Sequence, residues 1–266
     1  GTVWPYNNVA FPDLFSPVTS VLWANEYKLF HDQVHYDGMW IDMNEPSNFA
    51  TNEDNPWYCN GDHACTPHLV CPTNNYDFPP YATWASYYFG ESQLSSKTIC
   101  MVGANVNGRQ YDLHSMYGWG EVRATLPAVR AATGERSAVI TRSTFPSSGV
   151  YGGHWLGDNN ASWDNLRTSI IGMLEFNMFG IPYVGADICG FNGSPSEEMC
   201  LRWQQLGAFY PFSRNHNSDN APPQDPTVWP SVSAATKKAN NFRYYYLPYL
   251  YSLFYEANMN GHPVVR

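Results

Sequence analysis

Apolar residues recur at helical spacing in several long segments of the chain. The clearest segment is residues 163–179, which follows Ser162 and precedes Gly180. Its regularly spaced apolar residues are Leu166, Ile170, Leu174 and Met178. Positions four residues apart lie on one face of a helix, and serine is a favoured N-cap. We therefore predict a helix with Ser162 as its cap and Gly180 at its end.

The same pattern predicts four further helices. Three are expected at residues 22–34, 111–132 and 233–259, the last ending at Gly261. The segment SPSEE predicts the start of another that runs to about Tyr210, with Ser194 as N-cap, Pro195 at the first position and Glu197 completing a capping box.

Short apolar segments between these helices predict strands. Candidates are residues 36–43, residues 137–141 (SAVIT) and the start of IPYVGADICGF, and YPFSRNHNSD is another passage from strand to polar loop. The stretch RSTFPSSGVYGGHWLGDNN is expected to be loop, because it is rich in glycine and polar residues. Strand, polar loop and helix thus alternate about four times, which favours a parallel sheet with helical crossovers.

Polar or charged residues stand where these strands break into loops or in the loops that follow them. They are Asp42, Arg142, Asp158, Asp187 and His216. In (β/α)8 barrels such residues build the active site, so a barrel predicts that the five converge. An open, doubly wound sheet also fits the alternation. It would need a glycine-rich nucleotide loop after a strand, and neither G-x-G-x-x-G nor G-x-x-x-x-G-K-[ST] occurs.

Composition limits the classes of partner that the protein is expected to bind. Only 14% of the 266 residues are charged and the net charge is −9, which argues against nucleic acid and against a polybasic membrane patch. No apolar run approaches the ~20 residues that span a bilayer, and no signal peptide is visible. Aromatic residues make up 16% of the chain. Their flat faces and polar tips suit stacking on sugar rings, although many will be core.

Six cysteines favour disulfides over metal. They stand at positions 59, 65, 71, 100, 189 and 200. A local bridge between Cys189 and Cys200 is the simplest pairing, and the others lack the C-x2-C spacing of structural zinc. We predict no metal site and no cofactor. Sequons begin at Asn160 and Asn192. Asn160 is two residues from Asp158, so Asn192 is the better glycosylation candidate.

Two separated acids among aromatic residues suggest cleavage of a glycosidic bond. That reaction needs one carboxylate to meet the developing oxocarbenium ion and one carboxyl to protonate the leaving oxygen. Asp42 and Asp158 are the natural pair. Trp155 and the glycines of GHWLGDN are expected to desolvate Asp158, while Arg142 favours the ionised form of Asp42. Asp158 in LGDNN also fits a plain turn residue, and His216 a solvent-facing loop residue. No G-x-S-x-G elbow supports serine hydrolysis.

Five motifs together resemble one family, the retaining α-glucosidases of glycoside hydrolase family 31. WIDMNEPSNF resembles its nucleophile signature and HWLGDN its acid/base segment, which implies Asp42 as nucleophile and Asp158 as proton donor. TRSTF, GADICGF and GAFYPFSRNHN resemble the lining of its glucose subsite. The resemblance implies substrate contacts by Arg142, Asp187, Phe191 and His216, and pocket walls at Trp4, Trp40, Met43 and Trp155.

The resemblance also implies an architecture. Residues 1–266 look like the later strands and helices of an α/β fold, a catalytic (β/α)8 TIM-type barrel, with a disulfide-containing loop insert at about 51–96. The implied pairs are Cys71 with Cys100, Cys189 with Cys200 and, by elimination, Cys59 with Cys65. Family members are longer, so this fragment is expected to need the early barrel strands and β-domains of its own chain.

The implied function is that of a retaining exo-α-glucosidase acting by double displacement. Substrates would be malto- or isomalto-oligosaccharides or sucrose, and the two carboxyls would lie ~5–5.5 Å apart. Alternatives are a catalytically inactive carbohydrate-binding or scaffold relative, and a family 31 α-xylosidase, α-glucan lyase or transglucosylase. Disulfides place the expected location outside the cell or in the lysosomal or secretory lumen.

Overall fold

The computed structural model of the chain describes residues 2–4, 7–49, 51–53, 69–81, 83–84 and 93–266. The chain divides into two compact units. The first comprises Gly1–Ser137 and Ser143–Phe145, and the second comprises Ala138–Arg142 and Pro146–Arg266. Each unit contains its own set of buried apolar side chains.

The described part of the first unit contains two long helices that pack together and one short helix. Helix α1 spans Pro17–His31, α2 spans Gln110–Leu113 and α3 spans Tyr117–Thr133. α1 begins earlier than its apolar pattern predicts, because Pro17 is well suited to the first helical turn. The predicted helix 111–132 is interrupted by a 3-10 turn. α1 packs on α3, where the Trp23 indole N–H donates to Thr125 Oγ1 at 2.9 Å.

The strands of the first unit are short. β1 (Thr2–Val3) pairs antiparallel with β2 (Asn7–Asn8), and β4 (Ala104–Asn105) pairs antiparallel with β5 (Gly108–Arg109). β3 spans Gly38–Ile41 and confirms the strand predicted within residues 36–43. Its last residue, Ile41, is buried. The chain leaves β3 at Asp42, so the buried end of this strand fixes the backbone position of Asp42.

The predicted insert is stapled where the structure describes it. Cys71 is bonded to Cys100, as the resemblance implies. Residues 69–81 contain turns but no helix or strand. The buried Asp77 accepts the Ser95 backbone N–H at 2.9 Å and the Asn74 side-chain N–H at 2.7 Å, which ties two parts of the loop together. Cys59 and Cys65 lie outside the described residues, and the limits of the insert, about 51–96, stay a prediction.

Parallel strands form the sheet of the second unit. β6 (Ala138–Thr141) pairs with β7 (Gly153–Trp155), and β7 pairs with β8 (Val184–Gly185). β9 (Asp187–Ile188) and β10 (Arg214–Asn215) form a second parallel pair. β7 lies in a stretch that the sequence predicts to be loop. It has only three residues, all buried, so it has no alternation of apolar and polar positions to reveal it.

Helices follow these strands. α4 spans Trp163–Met178, and its predicted cap is confirmed because Ser162 Oγ accepts the Asn165 N–H at 3.1 Å. α5 spans Glu197–Gly207. The capping box predicted at Ser194 is wrong: Ser196 is the residue with extended backbone just before the helix, and its Oγ accepts from Met199. α6 spans Pro230–Asn260 and ends at Gly261, as predicted.

The core of the second unit lies beneath β8 and β9. Its buried members include Met173, Val184, Ile188, Trp203, Tyr210 and Val232. The predicted disulfide between Cys189 and Cys200 is present and joins the end of β9 to α5. This staple fixes the loop that carries Phe191. Among the described residues, no helix is both long and apolar enough to cross a bilayer.

Candidate active site

A buried ion pair joins β9 to β10 in the second unit. Asp187 and Arg214 stand opposite each other in the parallel register, and Arg214 Nη2 lies 2.7 Å from Asp187 Oδ1. The Asp187 side chain is 0% exposed. Burial raises the pKa of Asp187 to about 6, while the Arg214 charge and hydrogen bond oppose that rise. Asp187 is predicted to bind substrate, but its carboxylate is enclosed and directed to Arg214.

Arg214, the partner of Asp187, is not among the site residues that the sequence predicts. Its guanidinium lies 5.5 Å from the Trp155 ring centre and 5.4 Å from that of Phe212. The available signal is its place in SRNHN, two residues before His216 at the end of a predicted strand. Side chains two apart on a strand share a face, so an arginine at this spacing is a candidate for the same site.

Trp155 is a buried ring that lies close to two arginines. The indole is 1% exposed. The Arg142 guanidinium lies 5.8 Å from its ring centre, comparable to the distance of Arg214. A guanidinium over an indole face is stabilised by the ring quadrupole. The role of Trp155 as a wall of the sugar pocket stays a prediction; in this structure the buried ring lies close to the guanidinium groups of Arg142 and Arg214.

Asp158 is exposed and lies beside Arg142. The two groups approach to 3.7 Å between Asp158 Oδ2 and Arg142 Nη1, and the Asp158 side chain is 45% exposed. Gly157, at φ 81°, lets the chain turn directly before Asp158. The predicted desolvation of Asp158 is thus not found, because the carboxyl extends from the buried strand end of Trp155 into solvent. This exposure leaves the carboxyl accessible to a leaving-group oxygen.

Phe191 and His216 form an aromatic pair near these charges. Their ring centres are 5.3 Å apart with a 33° angle between the planes, and both residues are partly buried. Burial lowers the pKa of His216, the Arg214 charge lowers it further, and Asp158 opposes the change. The imidazole is therefore neutral at neutral pH and can both donate and accept hydrogen bonds.

Asparagine side chains hold the Phe191 loop against the Asp158 loop. The Asn159 amide donates to the Asp187 carbonyl at 3.0 Å and accepts the Phe191 N–H at 3.0 Å. The Asn192 amide donates to the Asp158 carbonyl at 3.4 Å. A β-bridge also places Asn160 beside Asn192. Both sequons therefore lie next to Asp158, so distance from this acid does not favour Asn192 over Asn160. Glycosylation of Asn192 stays a prediction.

Asp42 lies in the first unit, directly after β3. Its Oδ1 accepts the Met43 backbone N–H at 2.6 Å, and Met43 has a positive φ of 58°. A non-glycine residue in this region is strained and persists only where the surrounding structure fixes it. Trp40 and Trp4 are both exposed, while Met43 is partly buried. These three predicted wall residues share the first unit with the proposed nucleophile.

Glu121 is an acid near Asp42 that the sequence interpretation does not identify. Burial, together with the negative charges of Glu45 and Asp42, raises the pKa of Glu121, on α3, to about 7. A hydrogen bond with the Asn44 side chain opposes this rise. Asn44 Oδ1 in turn accepts the Ser143 N–H at 3.1 Å. The position of Glu121 within the helical pattern YGWGEVR gives no sign that this side chain is buried.

Predicted site residues thus fall into two groups. The second unit brings together Arg142, Trp155, Asp158, Asp187, Phe191 and His216. The first unit carries Trp4, Trp40, Asp42 and Met43. In the described parts of the chain, no group of three or more His, Cys, Asp or Glu residues is arranged to hold a metal ion. The arrangement in the second unit offers an exposed acid, two supported arginines and a neutral imidazole beside an aromatic ring.

Comparison with known proteins gives the family. Residues 1–253 match the TIM-barrel domain of the glycosyl hydrolases family 31. The chain belongs to glycoside hydrolase family 31. The family assignment confirms the resemblance drawn from the five motifs and accounts for the parallel strands and helices as part of a (β/α)8 barrel.

Three relatives illustrate the range of this family 31 chain. It is 46% identical to intestinal sucrase-isomaltase of Oryctolagus cuniculus, covering 100% of this chain and 14% of that protein. It is 42% identical to alpha-xylosidase 1 of Arabidopsis thaliana, covering 99% and 30%. The crystal structure of a family 31 alpha-glucosidase from Bacteroides thetaiotaomicron superposes with a TM-score of 0.72 at 30% identity, covering 99% and 36%. The chain therefore spans between a seventh and about a third of the length of these proteins.

Proposed function

We propose that the protein carrying this chain is a retaining exo-α-glucosidase that removes terminal α-linked glucose from malto- or isomalto-oligosaccharides or sucrose. The observation that carries the proposal is the group at the strand ends of the second unit. There the exposed Asp158 carboxyl lies 3.7 Å from Arg142, next to the Asp187 and Arg214 pair. Disulfides between Cys71 and Cys100 and between Cys189 and Cys200 support a secretory or lysosomal location.

The first step transfers glucose to the enzyme. Asp42 forms a bond to the anomeric carbon as the glycosidic C–O bond breaks, and the leaving oxygen takes the proton of Asp158. Asp42 follows a buried strand end, and its Oδ1 is held by the Met43 N–H, which fixes the carboxylate before attack. Pre-orientation of this kind lowers the entropy lost on reaching the transition state.

The second step releases glucose with retained configuration. Asp158, now a carboxylate, takes a proton from water as the water oxygen bonds to the anomeric carbon and the ester to Asp42 breaks. Arg142 Nη1 lies 3.7 Å from the Asp158 carboxyl that takes up this proton. Arg142, His216 and Phe191 supply the hydrogen-bonding and stacking groups for glucose in the second unit, and Trp4, Trp40 and Met43 supply apolar surface in the first.

Product analysis on the natural full-length protein tests this function. Maltose, isomaltose, sucrose and an α-xyloside are incubated with the enzyme, and proton NMR identifies the first anomer released. We expect α-glucose from at least one glucoside. First release of β-glucose would refute retention. Asp42→Asn is expected to abolish turnover while the melting temperature changes little, and full activity in that variant would remove Asp42 from the reaction.

A second candidate is α-xylosidase activity. It is favoured by the 42% identity to the Arabidopsis alpha-xylosidase 1, close to the 46% shared with sucrase-isomaltase. The glucoside and xyloside arms of the same experiment separate the two through kcat/KM. A catalytically inactive relative would release neither sugar, an α-glucan lyase would release an unsaturated product, and a transglucosylase would lengthen the acceptor sugar.

A further inference from the structure

Gln224 lies at the junction of the two loops that carry the proposed sugar-binding residues. The residue is 3% exposed and precedes the short helical turn Pro226–Val228. Its side-chain nitrogen is within 3.3 Å of four oxygen acceptors. They are the carbonyls of Ile188, Gly190 and His216 and the side-chain oxygen of Asn215.

These acceptors belong to two different segments. Ile188 and Gly190 lie at the end of β9, on the way to Phe191, and their carbonyls accept at 3.3 and 3.1 Å. The Asn215 oxygen and the His216 carbonyl lie at the end of β10, at 3.2 and 3.0 Å. One amide nitrogen has two hydrogens, so it can serve both segments at once, with each N–H shared between acceptors.

The amide orientation is fixed by this environment. Gln224 Oε1 is buried and accepts no hydrogen bond within the described residues. Turning the amide over would place that oxygen against four other oxygens and would remove every donor from them. Asn215 adds a reciprocal contact, because its side-chain N–H donates to the Gln224 carbonyl at 3.0 Å. Gln224 therefore joins the two segments through its side chain and its backbone.

Gly190 shows how closely the joined segment is packed. A Cβ atom at this residue would lie 2.4 Å from the Ala161 backbone nitrogen, and its φ is 92°. The loop between Ile188 and Phe191 thus has one backbone path, fixed on one side by Ala161 and on the other by Gln224. Loss of the Gln224 donor leaves three backbone carbonyls and the Asn215 side-chain oxygen without this partner and lets both segments move.

We propose that Gln224 is a positioning residue for the sugar-binding arrangement: it holds Phe191 and His216 at the separation that their ring contact requires. The proposal rests on the proposed glycosidase function, because it assigns the two rings to substrate binding. Gln224 itself is buried and does not touch the substrate.

Two Gln224 variants and a matched control test the proposal in the natural full-length protein. Gln224→Leu keeps the volume and removes the donor, and Gln224→Asn keeps an amide that is one methylene too short. Gln110→Leu is the control, because Gln110 on α2 is 1% exposed, lies in the first unit and accepts the Asn105 side-chain N–H at 3.3 Å. If Gln224→Leu does not fold, Gln224→Asn is used for every measurement below.

Hydrogen exchange gives a readout that does not depend on activity. We expect amide exchange in residues 188–192 and 214–218 to rise about 10-fold in the Gln224 variant and to stay near wild type in Gln110→Leu. Unchanged exchange in either segment overturns the proposal. If the unmutated full-length protein hydrolyses none of the glycosides, the proposed function is refuted instead. The two failures are therefore distinguishable.

A double-mutant cycle with His216→Ala tests the link to substrate. We expect kcat/KM to fall about 10- to 100-fold in the Gln224 variant, mainly through KM, and the double variant to lose less than the product of the single losses. A residue needed only for folding would lower the amount of active enzyme, leave KM unchanged and give multiplicative losses. That pattern would overturn the proposal.

Discussion

Arg214 Nη2 and Asp187 Oδ1 are 2.7 Å apart and link the first residues of two neighbouring parallel strands, β10 and β9. The aspartate is fully enclosed, and no hydrogen bond of normal geometry reaches its Oδ2 within the described residues. The arginine is therefore the principal group that compensates a buried negative charge. In return the carboxylate holds the guanidinium over the Trp155 ring.

Arg214→Met is expected to destabilise the second unit by about 3–5 kcal/mol at pH 7.5, because it leaves a buried carboxylate without its cation. The pKa of Asp187, already raised to about 6 by burial, should rise further without Arg214. The destabilisation should therefore shrink at pH 5, where the native state of the variant binds a proton. Denaturant unfolding at both pH values measures the effect.

Arg202→Met is the control for this prediction. Arg202 lies 3.8 Å from Glu198 in an exposed pair on α5, so its loss should cost no more than about 1 kcal/mol at either pH. An equal loss of stability in Arg214→Met at pH 5 and pH 7.5 would contradict the assignment of the effect to the Asp187 charge.

Asp158→Ala should reduce kcat/KM for maltose by about 10²- to 10⁴-fold, the usual contribution of a general acid. The loss should be much smaller for α-glucosyl fluoride, because fluoride leaves without protonation. Steady-state kinetics on both substrates measures the difference. Asp164→Ala is the matched control, since Asp164 is an exposed aspartate on the same loop-to-helix passage, paired with Arg167. Equal losses on the two substrates would argue against proton donation by Asp158.

Sequence motifs and the order of strands and helices predict much of this structure. The Ser162 cap, the strands that contain Trp40 and Thr141, and two disulfides follow from local pattern or from the family resemblance, and each is found. Local rules succeed there because capping and strand burial depend on neighbouring residues. The cap of α5 failed because two serines, Ser194 and Ser196, satisfy the same rule and tertiary packing selects between them.

Burial within the site could not be read from the sequence. Trp155 is enclosed and Asp158 is open although only two residues separate them, and Arg214 and Glu121 gain their importance from partners far along the chain. The exposure of each side chain depends on which strand lies beside it. Periodicity over three residues, as in β7, contains no such information.

Loss of the Cys189–Cys200 bridge should destabilise the second unit by about 2–3 kcal/mol, because the bond closes a short loop. Cys200→Ser with Cys189→Ser is the variant, and chemical unfolding is the measurement. Substrate affinity should fall as well, since the loop that carries Phe191 follows Cys189 directly. Cys71→Ser with Cys100→Ser, in the first unit, is the comparison, and we expect it to leave amide exchange at residues 188–192 unchanged. An increase there in both variants would contradict a local role for the bridge.

Glu121→Gln should stabilise the first unit at pH 8 and have little effect at pH 5. Burial raises the native pKa of Glu121 from 4.5 to about 7, so the folded state binds a proton more tightly than the unfolded state. That contribution to stability is complete below pH 4.5 and is lost as the pH rises towards 7. The difference between the unfolded and native pKa values corresponds to at most about 3 kcal/mol of stability. Glutamine does not ionise, so the variant does not lose this stability as the pH rises. Thermal unfolding at the two pH values measures the change, with the exposed Glu135→Gln as control. A gain of equal size at pH 5 and pH 8 would show that packing, and not the charge of Glu121 beside Asp42 and Glu45, causes the effect.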